Sequence, residues 1–91
     1  MAVIRQRIEF VGRVQGVGFR YTCASLANHY GLIGWVRNEY DGSVVAELQG
    51  QLAQIDAVIA DLQRGHFIRV DYVYRNNIGV EPNETGFRIT G

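Results

Sequence analysis

Apolar and polar positions alternate from the start of the chain. Ile4, Ile8 and Phe10 fall on one side and Arg5, Arg7 and Glu9 on the other, with Gln6 the single misfit. A period of two marks an extended segment with one buried face, which predicts a strand over residues 3 to 11. Gly12, Gly16 and Gly18 then break the pattern with a loop composition. Cys23, Leu26, Ala27 and Tyr30 recur at helical spacing before Gly31, so residues 21 to 30 read as a helix with a natural stop. Residues 33 to 37 are β-branched and aromatic, a second strand. Asp41-Gly42 is a hairpin turn signal, and beyond it Val44, Ala46 and Leu48 alternate with Val45, Glu47 and Gln49 until Gly50. Leu52, Ile55, Ile59 and Leu62 form a helical stripe closed by Gly65. Ile68, Val70, Tyr72 and Tyr74 alternate with Arg69, Asp71 and Arg75 as a fourth strand. Residues 76 to 85 read as polar turn, and residues 87 to 89 as a possible short last strand.

The order β-α-β-β-α-β predicts an α+β, ferredoxin-like split β-α-β sandwich. Its antiparallel four-stranded sheet carries two helices on one face and leaves the other free for solvent. Right-handed crossovers put the first and third strands in the centre. The first and second strands then run parallel on either side of the third, and their carboxyl ends share one edge. Arg20 and Asn38 are expected as neighbours there.

A chain of 91 residues, 47% apolar and 20% charged, has room for one modest core, so residues 1–91 are expected to form one domain. All nine basic residues are arginines, balanced by nine acids. The lack of lysine excludes Schiff-base chemistry and a Walker-type P-loop, so an anion site must use arginine and backbone amides. Zero net charge argues against nucleic acid or an anionic membrane as partner. One cysteine, Cys23, cannot close a disulfide within the chain and sits at a core spacing, and His29 and His66 lack ligand spacing, so no metal is expected. No apolar run matches a signal peptide or membrane span, and the expected location is the cytoplasm.

The segment Gly12-Arg13-Val14-Gln15-Gly16-Val17-Gly18-Phe19-Arg20 leads from a strand into a helix. Glycines let successive N–H groups turn toward one anion, the helix adds its positive end, and Arg20 offers a planar fork. On spacing alone, a glycine-rich turn without ligand is the commoner case. The run Gly16 to Tyr21 faintly echoes the aromatic motif of RNA-recognition domains, but it precedes the first helix and cannot form a central-strand stacking platform.

The same nine residues resemble the signature loop of the acylphosphatase family. Gly31-Leu32-Ile33-Gly34-Trp35-Val36-Arg37-Asn38, followed by Asp41-Gly42-Ser43-Val44, resembles that family's second signature. The likeness runs from about residue 8 to residue 50 and more loosely to Gly86-Phe87-Arg88-Ile89. It implies a ferredoxin-like enzyme that hydrolyses acyl phosphates to carboxylate and inorganic phosphate, without metal or cofactor. By that resemblance Arg20 binds the phosphoryl group and Asn38 orients the attacking water. The backbone amides of Gln15, Gly16, Val17, Gly18 and Phe19 cradle the phosphoryl oxygens.

The expected partners are a small-molecule acyl phosphate and inorganic phosphate as product or competitive ligand, and a monomer suffices. Acylphosphatase-like domains also resemble the N-terminal part of hydrogenase-maturation carbamoyltransferases, where the ligand is carbamoyl phosphate. The short chain, with no fused domain, favours a free-standing enzyme. Two departures from the family pattern stand out: Val45 where an acid is expected, and Gly65-His66-Phe67 in place of a proline-containing turn. Eight of the nine arginines are expected at the surface, Arg37 among them, together with an exposed Val45.

Overall fold

The alternation that starts the chain buries Ile8 and Phe10 completely in the computed structural model, which describes residues 2–91. They lie on β1 (Ile4–Arg13), which leads into α1 (Phe19–His29), β2 (Ile33–Asn38), β3 (Val44–Gly50), α2 (Leu52–Leu62), β4 (Arg69–Ile78) and β5 (Phe87–Ile89). Val36, Ala46 and Leu48 extend the apolar sheet face, and Cys23 and Ala27 of α1 and Ile55 and Leu62 of α2 close over it. Leu52, counted into the helical stripe, opens α2 and stays half-exposed; Val58 takes the buried place instead. The N-terminus of α2 is held by a reciprocal pair, the Gln51 side chain accepting from the Gln54 amide while Gln54 Oε1 accepts from the Gln51 amide.

The sheet order is β4-β1-β3-β2-β5. The four long strands pair antiparallel, with β1 between β3 and β4, as their order requires. The short last strand adds a fifth member that pairs parallel with β2, Gly34 to Phe87 through Val36 to Ile89, so the sheet is mixed rather than purely antiparallel.

To reach β2 from β4 at the opposite edge, residues 79–86 cross the sheet face that the helices leave uncovered. That face is therefore only partly open to solvent: Arg5, Val45 and Gln49 are buried on it, while Tyr72 and Tyr74 stay exposed. Gln49 accepts from the Glu81 amide at 2.8 Å and donates to its carbonyl at 3.2 Å. Both carboxylate oxygens of Glu84 accept from Arg5 Nη2, Oε1 at 3.1 Å and Oε2 at 3.0 Å. Arg5 is 1% exposed, which corrects the expectation of a surface arginine. Val45 is buried as well, lining a cleft with Arg7, Glu9, Tyr74 and Asn76. Arg37 stays half-exposed on this face, stacked on the Trp35 ring at 4.8 Å and paired with Glu39.

Two further differences concern β4. The strand continues to Ile78, through residues whose polar side chains suggested a turn; Asn77 accepts from Gln6 at 2.8 Å, so an edge strand there satisfies its polar side chains laterally. The pairing of β1 with β4 also shifts register, Val11 opposite Tyr72 but Gly12 opposite Val70, and leaves Asp71 as an extra residue. This bulge exchanges the faces of the strand. Val70 and Val73 both pack on the core, and Tyr72 and Tyr74 stack on the open face at 6.3 Å, so residues 68 to 74 do not share one face.

Candidate active site

Because β1 and β2 are both antiparallel to β3, Phe10, Val44 and Asn38 fall in one row across the sheet. The chain leaving β1 and the chain leaving β2 emerge at the same edge, as the element order predicts.

Residues 14 to 19 form an arch pinned at both feet. Val14 and Phe19 are each 1% exposed, and the Phe19 ring packs against Phe10 at 4.9 Å. Such an aromatic pair contributes about 0.5–1.5 kcal/mol beyond its buried area. Between the feet, Gly16 and Gly18 reach the surface with φ of 73° and 78°, and a Cβ at either would meet only open space. Glycine is needed there for the handedness of the backbone, not for room. Gly18 caps α1 without a side-chain hydrogen bond. The first helical bond runs from Thr22 N–H to the Gly18 carbonyl at 3.0 Å, and the Thr22 hydroxyl donates to the same carbonyl. The amides of residues 19 to 21 therefore have no acceptor within the helix. No acidic residue stands in this first turn, which leaves the positive end of the helix dipole unopposed.

The arch is tied to the end of β2 by one side chain. Gln15 Nε2 donates to the Glu39 carbonyl at 2.7 Å and to the Ser43 carbonyl at 2.9 Å. The turn it grips is itself braced: Asp41 Oδ1 accepts from the Ser43 amide and hydroxyl at 2.9 and 2.6 Å. Those two bonds, the hydroxyl first, hold the Asp41 carboxyl below its usual range. Sequence reasoning gave Gln15 only a backbone role. Its side-chain clamp was invisible because both acceptors are main-chain carbonyls more than twenty residues away.

Asn38 ends β2, and its Oδ1 is buried without a hydrogen-bond partner among the described residues. Arg20 sits half-buried in the first turn of α1. Six of the nine arginines pair with carboxylates, namely Arg5, Arg7, Arg37, Arg64, Arg69 and Arg75. Among the described residues Arg13, Arg20 and Arg88 have no ion pair, and two of these three flank the arch. The arrangement gathers amides, a helix end and unpaired guanidinium charge, which is suited to an anion. The Phe19 side chain is committed to the core, so only its amide is available to a ligand. Cys23 lies fully buried behind the arch, and burial pushes its thiol up to about 12, which makes it a packing group rather than a nucleophile. His29 and His66 are exposed, and no group of three or more His, Cys, Asp or Glu side chains comes together among the described residues. Nor is any helix there long and apolar enough to cross a membrane.

A family model described as acylphosphatase matches residues 6–89. An acylphosphatase from Clostridium acetobutylicum is 38% identical over 86 residues, which cover 93% of this chain and 94% of that protein. Among solved structures, an acylphosphatase from Bacillus subtilis superposes with a TM-score of 0.89 at 30% identity, over 97% of this chain and 99% of that one. Full-length HypF in its phosphate- and nucleotide-bound form superposes with a TM-score of 0.85 at 26% identity; the match covers 99% of this chain but 12% of HypF.

Proposed function

The chain belongs to the acylphosphatase family of hydrolases, and from this we propose the reaction and the residues that run it. The enzyme hydrolyses the carboxyl–phosphate anhydride of a small acyl phosphate, without a metal ion. The Arg20 guanidinium and the amides of Gln15 to Phe19 bind the phosphoryl oxygens and stabilise the charge that spreads over them in the transition state. A water donates one O–H to Asn38 Oδ1 and attacks phosphorus in line. The new O–P bond forms as the bridging O–P bond breaks, the acyl carboxylate leaves with the electron pair, and the water's proton passes to solvent or to the product phosphate. A carboxylate is a good leaving group, so no general acid is required. A neutral amide cannot act as a strong base, and an anhydride this reactive needs only a positioned water.

One observation carries the reading: Asn38 Oδ1 is a buried acceptor without a partner among the described residues, at the edge where the arch is clamped by Gln15. Buried acceptors are almost always satisfied, and a small turn of this terminal amide brings Oδ1 to the edge, where a water satisfies it. On the same reading the enzyme works in the cytoplasm as a monomer, with inorganic phosphate as product and competitive ligand.

The test is hydrolysis of acetyl phosphate in excess chelator, with phosphate binding measured by calorimetry. Wild type turns over, Arg20→Ala loses both turnover and phosphate affinity, and Asn38→Ala loses kcat while phosphate affinity stays near wild type. Full kcat in Asn38→Ala would remove the water-positioning role, and loss of wild-type activity in chelator would remove metal independence.

A further inference from the structure

The arch and Asn38 come from segments far apart in the chain, so neither segment alone sets the position of one relative to the other. Asn38 stands opposite Val44 in the ladder of β2 and β3. The next pair outward is Glu39 and Ser43, joined by the Glu39 N–H donating to the Ser43 carbonyl at 2.9 Å. The carbonyls that Gln15 Nε2 grips, at 2.7 and 2.9 Å, belong to these same two residues. Gln15 thus fastens the arch to the rung next to Asn38. Among the described residues no other side-chain hydrogen bond joins residues 13–20 to residues 38–44.

The hairpin does not depend on this clamp for its own closure. The Glu39 carbonyl also accepts from the Gly42 amide at 3.3 Å, and the Ser43 carbonyl from the Glu39 amide. Asp41 braces the same turn through the Ser43 amide and hydroxyl. Without the Gln15 side chain both carbonyls therefore keep a donor, and the penalty of an unsatisfied buried group does not arise. Holding a long side chain in one rotamer has an entropic cost. In return the two bonds fix the separation of two segments that nothing else of this kind ties together.

We infer that the Gln15 side chain is a positioning residue for the hydrolysis: it sets where Asn38 Oδ1 stands relative to the phosphoryl cradle, and so whether the held water lies in line with the leaving carboxylate. The inference rests on the reaction proposed above. Gln15 then serves both halves of the site, its backbone amide the phosphoryl oxygens and its side chain the end of β2. A misplacement of about 1 Å is enough to cost roughly 10²-fold in rate. Because Gln15 Nε2 acts through Asn38, its loss falls on kcat and leaves phosphate binding by the backbone amides in place.

The experiment replaces the donor by apolar side chains, Gln15→Met and Gln15→Leu, and compares urea midpoint, phosphate affinity and acetyl phosphate turnover with wild type. In both variants kcat falls roughly ten- to a hundredfold, while phosphate affinity and the urea midpoint stay near wild type. In an Asn38→Ala background the same replacements lower kcat by less than about twofold, since the group they position is already gone. Full kcat in Gln15→Met overturns the positioning role while leaving the reaction intact. So does a kcat loss that multiplies with that of Asn38→Ala, or one matched by an equal loss of phosphate affinity or of stability. Failure of wild type to hydrolyse acetyl phosphate overturns the reaction, and the positioning role with it.

Discussion

Arg5 and Arg20 carry the same guanidinium in opposite surroundings. Arg5 is buried on the open face of the sheet, with Nε on Glu47 at 2.8 Å, Nη1 on Gln49 at 3.0 Å and Nη2 on Glu84 at 3.0 Å. Burial pulls its pKa down, but the hydrogen bonds and charges of Glu47 and Glu84 outweigh that and raise it, so the group stays charged. Arg20 has no carboxylate among the described residues and stands at the positive end of a helix, where a cation is disfavoured by roughly 0.3–1 kcal/mol. A charge compensated within the molecule holds the molecule together. A charge left uncompensated beside another source of positive potential has to find its anion outside.

The sharpest way to break this contrast is to remove each arginine in turn. Arg20→Ala is expected to lower kcat/KM for acetyl phosphate by about 10³-fold or more, roughly 4 kcal/mol of transition-state stabilisation, with the urea midpoint at or slightly above wild type. Arg5→Ala leaves Glu84 without its cation and Glu47 with Arg7 alone, both largely shielded from water, and is expected to cost about 3 kcal/mol of unfolding free energy. Equal losses of stability in the two variants would erase the distinction. Glu84→Gln sharpens it, because an acceptor remains while one charge goes and Glu47 still balances Arg5. A loss of about 1–2 kcal/mol is expected in urea unfolding, with turnover by the folded enzyme retained.

The smallest effect concerns the turn beneath Asn38. Since the folded Asp41 carboxyl titrates below its unfolded value, its stabilisation is complete above the ordinary carboxylate range. It is lost as pH falls through the depressed folded value. The difference in urea midpoint between wild type and Asp41→Asn will be flat above about pH 5 and shrink on acidification below about pH 4. A difference that grows toward low pH would contradict the assigned direction.

Much of the architecture was legible because it rests on local periodicity. The alternation at Ile8 and Phe10, the stripe at Ile55, Ile59 and Leu62, and the Asp41-Gly42 turn each report on near neighbours. The arch and Asn38 were legible for a related reason, since element order alone places both strand ends at one edge. What escaped involves partners distant in sequence. The burial of Arg5 needs Glu84, and the crossing that brings Glu84 there depends on β5 choosing β2 at the far edge. Tyr72 looked continuous with Val70 because a bulge at Asp71 leaves no mark in a hydropathy pattern. Val45 looked exposed because its cover comes from the side chains of other strands, Tyr74 among them.

The central place of β1 has a consequence for how the molecule comes into being. Arg5 at the start of that strand pairs with Gln49 on one side and Ile78 on the other. During synthesis the first strand made therefore stays unpaired on one flank until nearly the last strand has emerged. Contacts of such long sequence separation form slowly, and an unpaired apolar strand is open to wrong partners meanwhile. The arch hangs from the end of this strand and gains its backing only when the strand is enclosed. The arch of a nascent chain thus lacks one flank of its supporting strand until β4 has emerged.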